Sequence, residues 1–167
     1  ESPPPGTFAP SHPHSRRPTM AKNILAAVVG YVAFFVAAFV LFLVAFMILG
    51  VNRLYQSGVY NVSMLWIVVI LVLSFLAAVF GGYVCKMFAK NDMAVKILAG
   101  IALVLGLFLA ISQMMAAPAD VLRPADVPVM EAMFLSVQPV WVEFVVTLLH
   151  IAGVFVGASL KKVGGLT

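Results

Sequence analysis

Charge is what this sequence has least of. Asp, Glu, Lys and Arg make up only 10% of its 167 residues, while 63% are hydrophobic. A soluble domain carries about 25% charged and about 45–50% apolar residues, so this composition cannot coat a water-exposed surface. Cysteine is nearly absent as well. Cys85 is the only one, which excludes an internal disulfide framework and any cysteine-based metal cluster. No HExxH, GxSxG, CxxC or phosphate-cradling glycine loop occurs. The metalloprotease, serine-hydrolase, dithiol and nucleotide-binding chemistries that depend on those spacings therefore have no foothold, and no catalytic residue or metal site is assigned.

What the chain does have is long uncharged runs and a mean hydropathy of +1.12. About 20 helical residues cross roughly 30 Å of hydrocarbon. Four runs qualify, over residues 24–49, 64–85, 97–115 and 140–160; the first three contain no charge and the fourth only Glu143 and His150. The fold class expected is all-α, a bundle of four transmembrane helices with the lipid bilayer as its first partner. The first run is too long for the apolar core of a cleaved signal peptide and is not closed by an A-x-A-like site.

The few charges orient the bundle. Arg16, Arg17, Lys22, Lys86, Lys90, Lys96, Lys161 and Lys162 fall on one side of the spans, and only Arg53 and Arg123 on the other. The excess of basic residues marks the cytoplasmic side, so both termini and the middle loop are expected there. The net charge of +4 is thereby used for orientation, and no nucleic-acid partner is called for.

Outside residues 20–162, the Pro-rich stretch 1–19 reads as a disordered-type tail or non-native extension, and 163–167 as a short C-terminal tail. The loop GVNRLYQSGVYNVSML is full of turn formers, with Tyr55, Tyr60 and Trp66 expected at headgroup level. In the third loop Val129, Met130, Met133, Phe134 and Val137 recur at one, three and four positions. They predict a short amphipathic helix over 128–137, lying on the outer leaflet or covering a partner.

A shift of 75 positions aligns Trp66 with Trp141, Ala77 with Ala152, Val79-Phe80 with Val154-Phe155, Gly82 with Gly157 and Lys86 with Lys161. The first and third spans align less well, through Ala26 with Ala102 and Gly30 with Gly106 at a shift of 76. A tandem duplication of a helical hairpin, with its axis along the membrane normal, would produce this pattern.

Within lipid, close helix association relies on small residues. Ser74, Ala78, Gly81 and Gly82 form such a face in the second span, Ala102 and Gly106 in the third, and Gly153 and Gly157 in the fourth. In the first span Phe35, Phe39, Phe42 and Phe46 form a bulky stripe, read as a lipid-facing or partner-facing surface. Ionisable groups inside a span are costly and therefore functional candidates. Glu143, Thr147 and His150 stand at i, i+4 and i+7 on one helical face and form a candidate polar path. His150 is the candidate cofactor contact, able to carry a proton, ligate haem or bond a quinone oxygen. The alternative is that a neutral His150 bonds a neighbouring helix while Glu143 reaches the outer headgroups. One intramembrane histidine excludes bis-histidine haem within the chain, and no cofactor is assigned.

The stretches MAKNILAAVVGYV, LYQSGVYNVSMLW, FLAAVFGGYVC, PVWVEF and VGASLKK together resemble a widespread group of small bacterial four-span membrane proteins that has no established activity. The resemblance covers about Met20 to Lys162. It implies the four-helix fold and a bacterial inner (plasma) membrane, and it transfers no catalytic residue. The function expected is non-enzymatic, an accessory or structural subunit in a homo-oligomer or larger membrane complex. The alternative is a small carrier or redox-associated subunit working through Glu143, Thr147 and His150.

The orientation is open to direct test in a Cys85→Ser chain. A cysteine at Gln56 should react with an impermeant maleimide added to intact cells, and one at Met93 only after lysis; the opposite pattern would reverse the bundle.

Overall fold

The computed structural model of the protein describes residues 20–89, 91–115, 122, 124 and 126–163. The tail 1–19 and the residues from 164 onward lie outside it. The described residues form six helices and no strand: α1 (Met20–Leu49), α2 (Val51–Leu54), α3 (Met64–Ala89), α4 (Asp92–Met115), α5 (Val129–Phe134) and α6 (Val140–Val163). Four of these, α1, α3, α4 and α6, are long and apolar enough to cross a membrane, so the protein is an all-α four-helix bundle of the integral membrane class.

The helices outrun the uncharged segments at the end where α1 and α4 begin and α3 and α6 finish. Lys22, Lys86, Lys96 and Lys161 all belong to helical residues there, because backbone hydrogen bonding continues past the last apolar side chain. We call this the basic end, and the opposite one the capped end. Local signals explain the boundaries. Gly50 stops α1 in the left-handed region at φ 73°, a conformation glycine takes without strain. Ser63 opens α3, its Oγ accepting the Trp66 N–H at 3.3 Å, and Asn91 opens α4, its Oδ1 accepting the Ala94 N–H at 3.2 Å.

Around the bundle the order is α1, α3, α6, α4, with α4 closing back on α1. The most extensive contact is between α3 and α6, which run parallel. Its centre is made of small residues. A Cβ added to Gly153 would lie 2.8 Å from the Ala78 Cβ, one on Gly82 would lie 2.7 Å from the Val154 Cα, and one on Gly157 would lie 2.7 Å from the Val79 carbonyl carbon. Backbone therefore meets backbone, with no space for a side chain. The pattern is reciprocal: Gly82 faces Val154 and Gly157 faces Val79, while Ala78 and Gly153, 75 positions apart, face each other. The internal repeat is thus realised as a local two-fold relation between α3 and α6.

It does not extend to the other pair. Gly30 of α1 faces Gly81 and Cys85 of α3, whereas Gly106 of α4 faces Thr147 of α6. The repeat partner of Gly81 would be Val156, which is 43% exposed. The helices α1 and α4 therefore dock in different registers, and the packing does not realise a full duplication of a hairpin.

The core changes calibre along the axis. In the basic half it holds Ala26, Ala27, Ala78, Cys85, Ala94, Ala99 and Ala158 with a few larger residues. In the capped half it holds Phe46, Tyr55, Trp66, Ile67 and Ile70. Small side chains let helices approach and large ones hold them apart, so the bundle is tight at one end and filled by rings at the other. Two polar ties close the tight end: Asn91 Nδ2 donates to Asn23 Oδ1 at 2.7 Å, and the buried Lys86 ammonium lies 2.6 Å from Asp92 Oδ1. A buried ammonium needs such a partner.

At the wide end the two loops pair with each other. Tyr55 bridges Val62 antiparallel and Asn61 bridges Val137 parallel, with Val62 N–H donating to Val137 O and Val137 N–H to Tyr60 O, both at 3.0 Å. Tyr55, Tyr60 and Trp66, expected at headgroup level, are each at most 3% exposed and pack against protein. One expectation is corrected. The outer helix spans six residues, Val129–Phe134, because Val137 is drawn into the bridge. The helix is nonetheless tied down: Ala132 is fully buried and its carbonyl accepts the Tyr55 hydroxyl at 2.6 Å. The amphipathic face expected of Val129, Met133 and Phe134 falls outside the described side chains.

The seam between α3 and α6 yields the first structural prediction. Gly157→Leu and Gly82→Leu should each destabilise the bundle by more than the about 1–3 kcal/mol typical of overpacking. Gly100→Leu should be neutral, since nothing lies within 4 Å of an added Cβ there. Thermal unfolding in one detergent compares the three, and equal midpoints would refute the seam.

Candidate functional site

The polar residues of α6 lie along one face but meet three different surroundings. Glu143, one turn into the helix, turns to the capped end, where its Oε1 accepts a hydrogen bond from Gln138 Nε2. Thr147 is buried and sits against Gly106 of α4; its hydroxyl donates to the Glu143 carbonyl at 2.8 Å. His150 meets α1, its ring edge-on to Phe34 with centroids 4.8 Å apart. No hydrogen bond joins Glu143 to His150 among the described residues, and the hydroxyl between them is engaged with its own helix. The stripe is three separate contacts, so a continuous path along it is not formed.

The small-residue positions lie at helix contacts. Ser74, Ala78, Gly81 and Gly82 on α3, Ala102 and Gly106 on α4, and Gly153 and Gly157 on α6 are all buried. The phenylalanine stripe of α1 divides. Phe35 and Phe39 point outward at 62% and 44% exposure, whereas Phe46 is 2% exposed and packs on Trp66. Phe42 is half-buried beside it, ring centroids 5.8 Å from Trp66. This corrects the expectation of one continuous partner-facing surface: the last two rings are needed to fill the wide end of the bundle.

Filling is incomplete. A cavity of about 230 Å³ remains at the capped end, lined by Phe42 and Phe46 of α1, Trp66, Ile70 and Ser74 of α3, Glu143 and Val146 of α6, and Ser136 and Gln138 of the preceding loop. The loop pairing makes it: the Asn61–Val137 bridge holds the chain so that Ser136 and Gln138 on either side overhang the rings. The aromatic wall is stiff, since Phe46 and Trp66 meet edge to face with centroids 4.5 Å apart. Of the sequence candidates Glu143, Ser74, Phe42 and Phe46 reach this cavity. Trp66, Gln138 and Ser136 carried no signal as site residues, because they come from separate segments brought together by the cap. No group of three or more His, Cys, Asp or Glu side chains able to hold a metal occurs among the described residues.

No family model matches the chain, and neither a curated protein nor a solved structure matches it.

The separation of the stripe has a measurable consequence. His150→Ala removes one edge contact, worth about 0.5–1.5 kcal/mol, and should leave the purified protein folded with only a modest drop in its thermal midpoint. Collapse of folding would show that His150 holds the bundle through something other than Phe34.

Proposed function

We infer that this is a non-enzymatic integral membrane protein that works as an accessory or structural subunit, through association with further copies of itself or a larger membrane complex. The supporting observation is the exposure of α1. Almost none of its spanning stretch is buried in the bundle, and Val32, Phe35, Val36, Phe39, Val40, Val44, Met47 and Ile48 all face outward. Its buried residues cluster at the two ends, at Asn23, Ala26, Ala27 and Gly30 and again at Phe46. One face of the helix packs on the bundle through Phe34 and Phe42, and the opposite face, from Val32 to Ile48, is an apolar ridge of the shape that another transmembrane helix or subunit can pack against by van der Waals contact. The basic end is placed in the cytoplasm by the positive-inside rule, and the bacterial inner membrane follows the resemblance noted above. The carrier and redox readings receive no support from the α6 residues, since Thr147 is committed to its own helix and His150 to Phe34.

Cysteine cross-linking in native membranes tests this reading. In a Cys85→Ser chain, cysteines at Val32, Phe39 or Met47 should yield one discrete cross-linked species, whereas cysteines at Val104 of α4 or Leu148 of α6 should not. Equal cross-linking at all five positions, or none at any, would contradict a partner on α1.

A further inference from the structure

The cavity at the capped end is more than a packing defect, because its polar groups are arranged for something that is not part of the chain. Ser74 is 4% exposed, lines the cavity, and makes no hydrogen bond to any described residue, even though the hydroxyls of Thr147, Ser112 and Ser159 elsewhere in the helices all donate to the carbonyl four residues before them. A buried hydroxyl without a partner loses free energy that its own helix could have restored. The Glu143 carboxylate receives one hydrogen bond, from Gln138, and has no ion pair among the described residues. It is an acid at the rim of an apolar helix with no cation beside it. Facing these groups are Phe42, Phe46 and Trp66, packed on one another edge to face at interplanar angles of 68° and 72° to the indole, so that aromatic rings make one wall of the cavity.

Aromatic faces carry negative potential, and a carboxylate carries charge. A cavity lined by both attracts one class of ligand. We propose that this cavity binds a small organic cation, an ammonium group bearing an apolar substituent. The ammonium sits between the Glu143 carboxylate and the rings of Trp66 and Phe42, and the substituent lies along Ile70 and Val146. The Ser74 hydroxyl, one turn beyond Ile70 and two beyond Trp66 on α3, meets the far end of the substituent and is satisfied where that end carries a polar atom. At about 230 Å³ the site is smaller than the about 300–1,000 Å³ typical of drug-sized ligands, which limits the occupant to a compact head and one short group. The same chemistry is offered by free amines in water and by the ammonium head of a membrane lipid. The proposal stands independently of whether α1 docks on a partner.

Trp66 is a built-in reporter. The chain has two tryptophans, so Trp141→Phe leaves Trp66 alone. In phosphatidylglycerol nanodiscs, benzyltrimethylammonium should change the Trp66 emission saturably, and its uncharged carbon isostere neopentylbenzene should not. Glu143→Gln should weaken the response about tenfold or more, as loss of a desolvated charge partner does. Should that variant fail to assemble, Phe42→Leu should weaken binding about threefold or more through the lost ring. In nanodiscs held at one half phosphatidylglycerol, so that the surface charge is constant, a lower apparent affinity when the other half is phosphatidylethanolamine than when it is an uncharged glycolipid identifies the lipid head as the natural occupant, and an unchanged one identifies a free cation. No saturable response, an undiminished response in both Glu143→Gln and Phe42→Leu, or equal binding of neopentylbenzene would overturn the proposal.

Discussion

The close approach of α3 and α6 is the constraint on which the rest of the structure depends. Apolar side chains gain little by leaving lipid for one another, so a membrane bundle cannot rely on the burial that holds soluble cores together. Here the backbones of α3 and α6 meet directly at Ala78, Gly82, Gly153 and Gly157, which maximises dispersion contact between two rigid surfaces. The other two helices are added to this pair, α1 through Gly30 and Gly81 and α4 through Gly106. The first contact has glycine on both sides and the second on one.

A seam this tight at one level needs compensation elsewhere. Helices that touch through alanine and glycine in the basic half cannot do so where Trp66, Phe46, Ile67 and Ile70 stand between them. The wide end must then be closed by something other than helix, and the paired loops with α5 do this, anchored by the hydrogen bond from Tyr55 to Ala132. The cavity follows from that solution. Rings fill most of the space, and the overhanging Ser136 and Gln138 leave a polar-lined remainder around Glu143.

Much of this was legible in the residues. Uncharged runs located all four spans, since charge within hydrocarbon is costly and its absence is easy to see. Spacings of small residues located the buried faces of α3, α4 and α6, and the shift of 75 positions matched α3 with α6 without saying that the two touch. The facing of α1 was not legible. A helix that is apolar all round carries no periodicity to separate inside from outside, so nothing distinguished Phe39, which points outward, from Phe46, which fills the core. The cap was hidden for a different reason. Its bridges join Asn61 to Val137 and Val59 to Leu122, and pairing between distant short segments leaves no local pattern. The cavity residues were correspondingly scattered: Glu143 was singled out as a polar group, while Ser74, Phe42 and Phe46 were read as packing or partner surfaces.

The most direct test of the seam is disulfide formation in a Cys85→Ser background. Cysteines at Ala78 and Gly153 lie on the closest-packed stretch of the two helices, where an added Cβ is 2.8 Å from the Ala78 Cβ, so the helices need part by only about 1 Å to reach the about 3.5–4.5 Å between Cβ atoms that a disulfide spans. The account predicts that this pair oxidises readily in membranes within a single chain, while Ser74 paired with Gly157 does not. Failure of the first pair to form, or equal formation of both, would contradict the register of α3 against α6 and with it the tapered bundle.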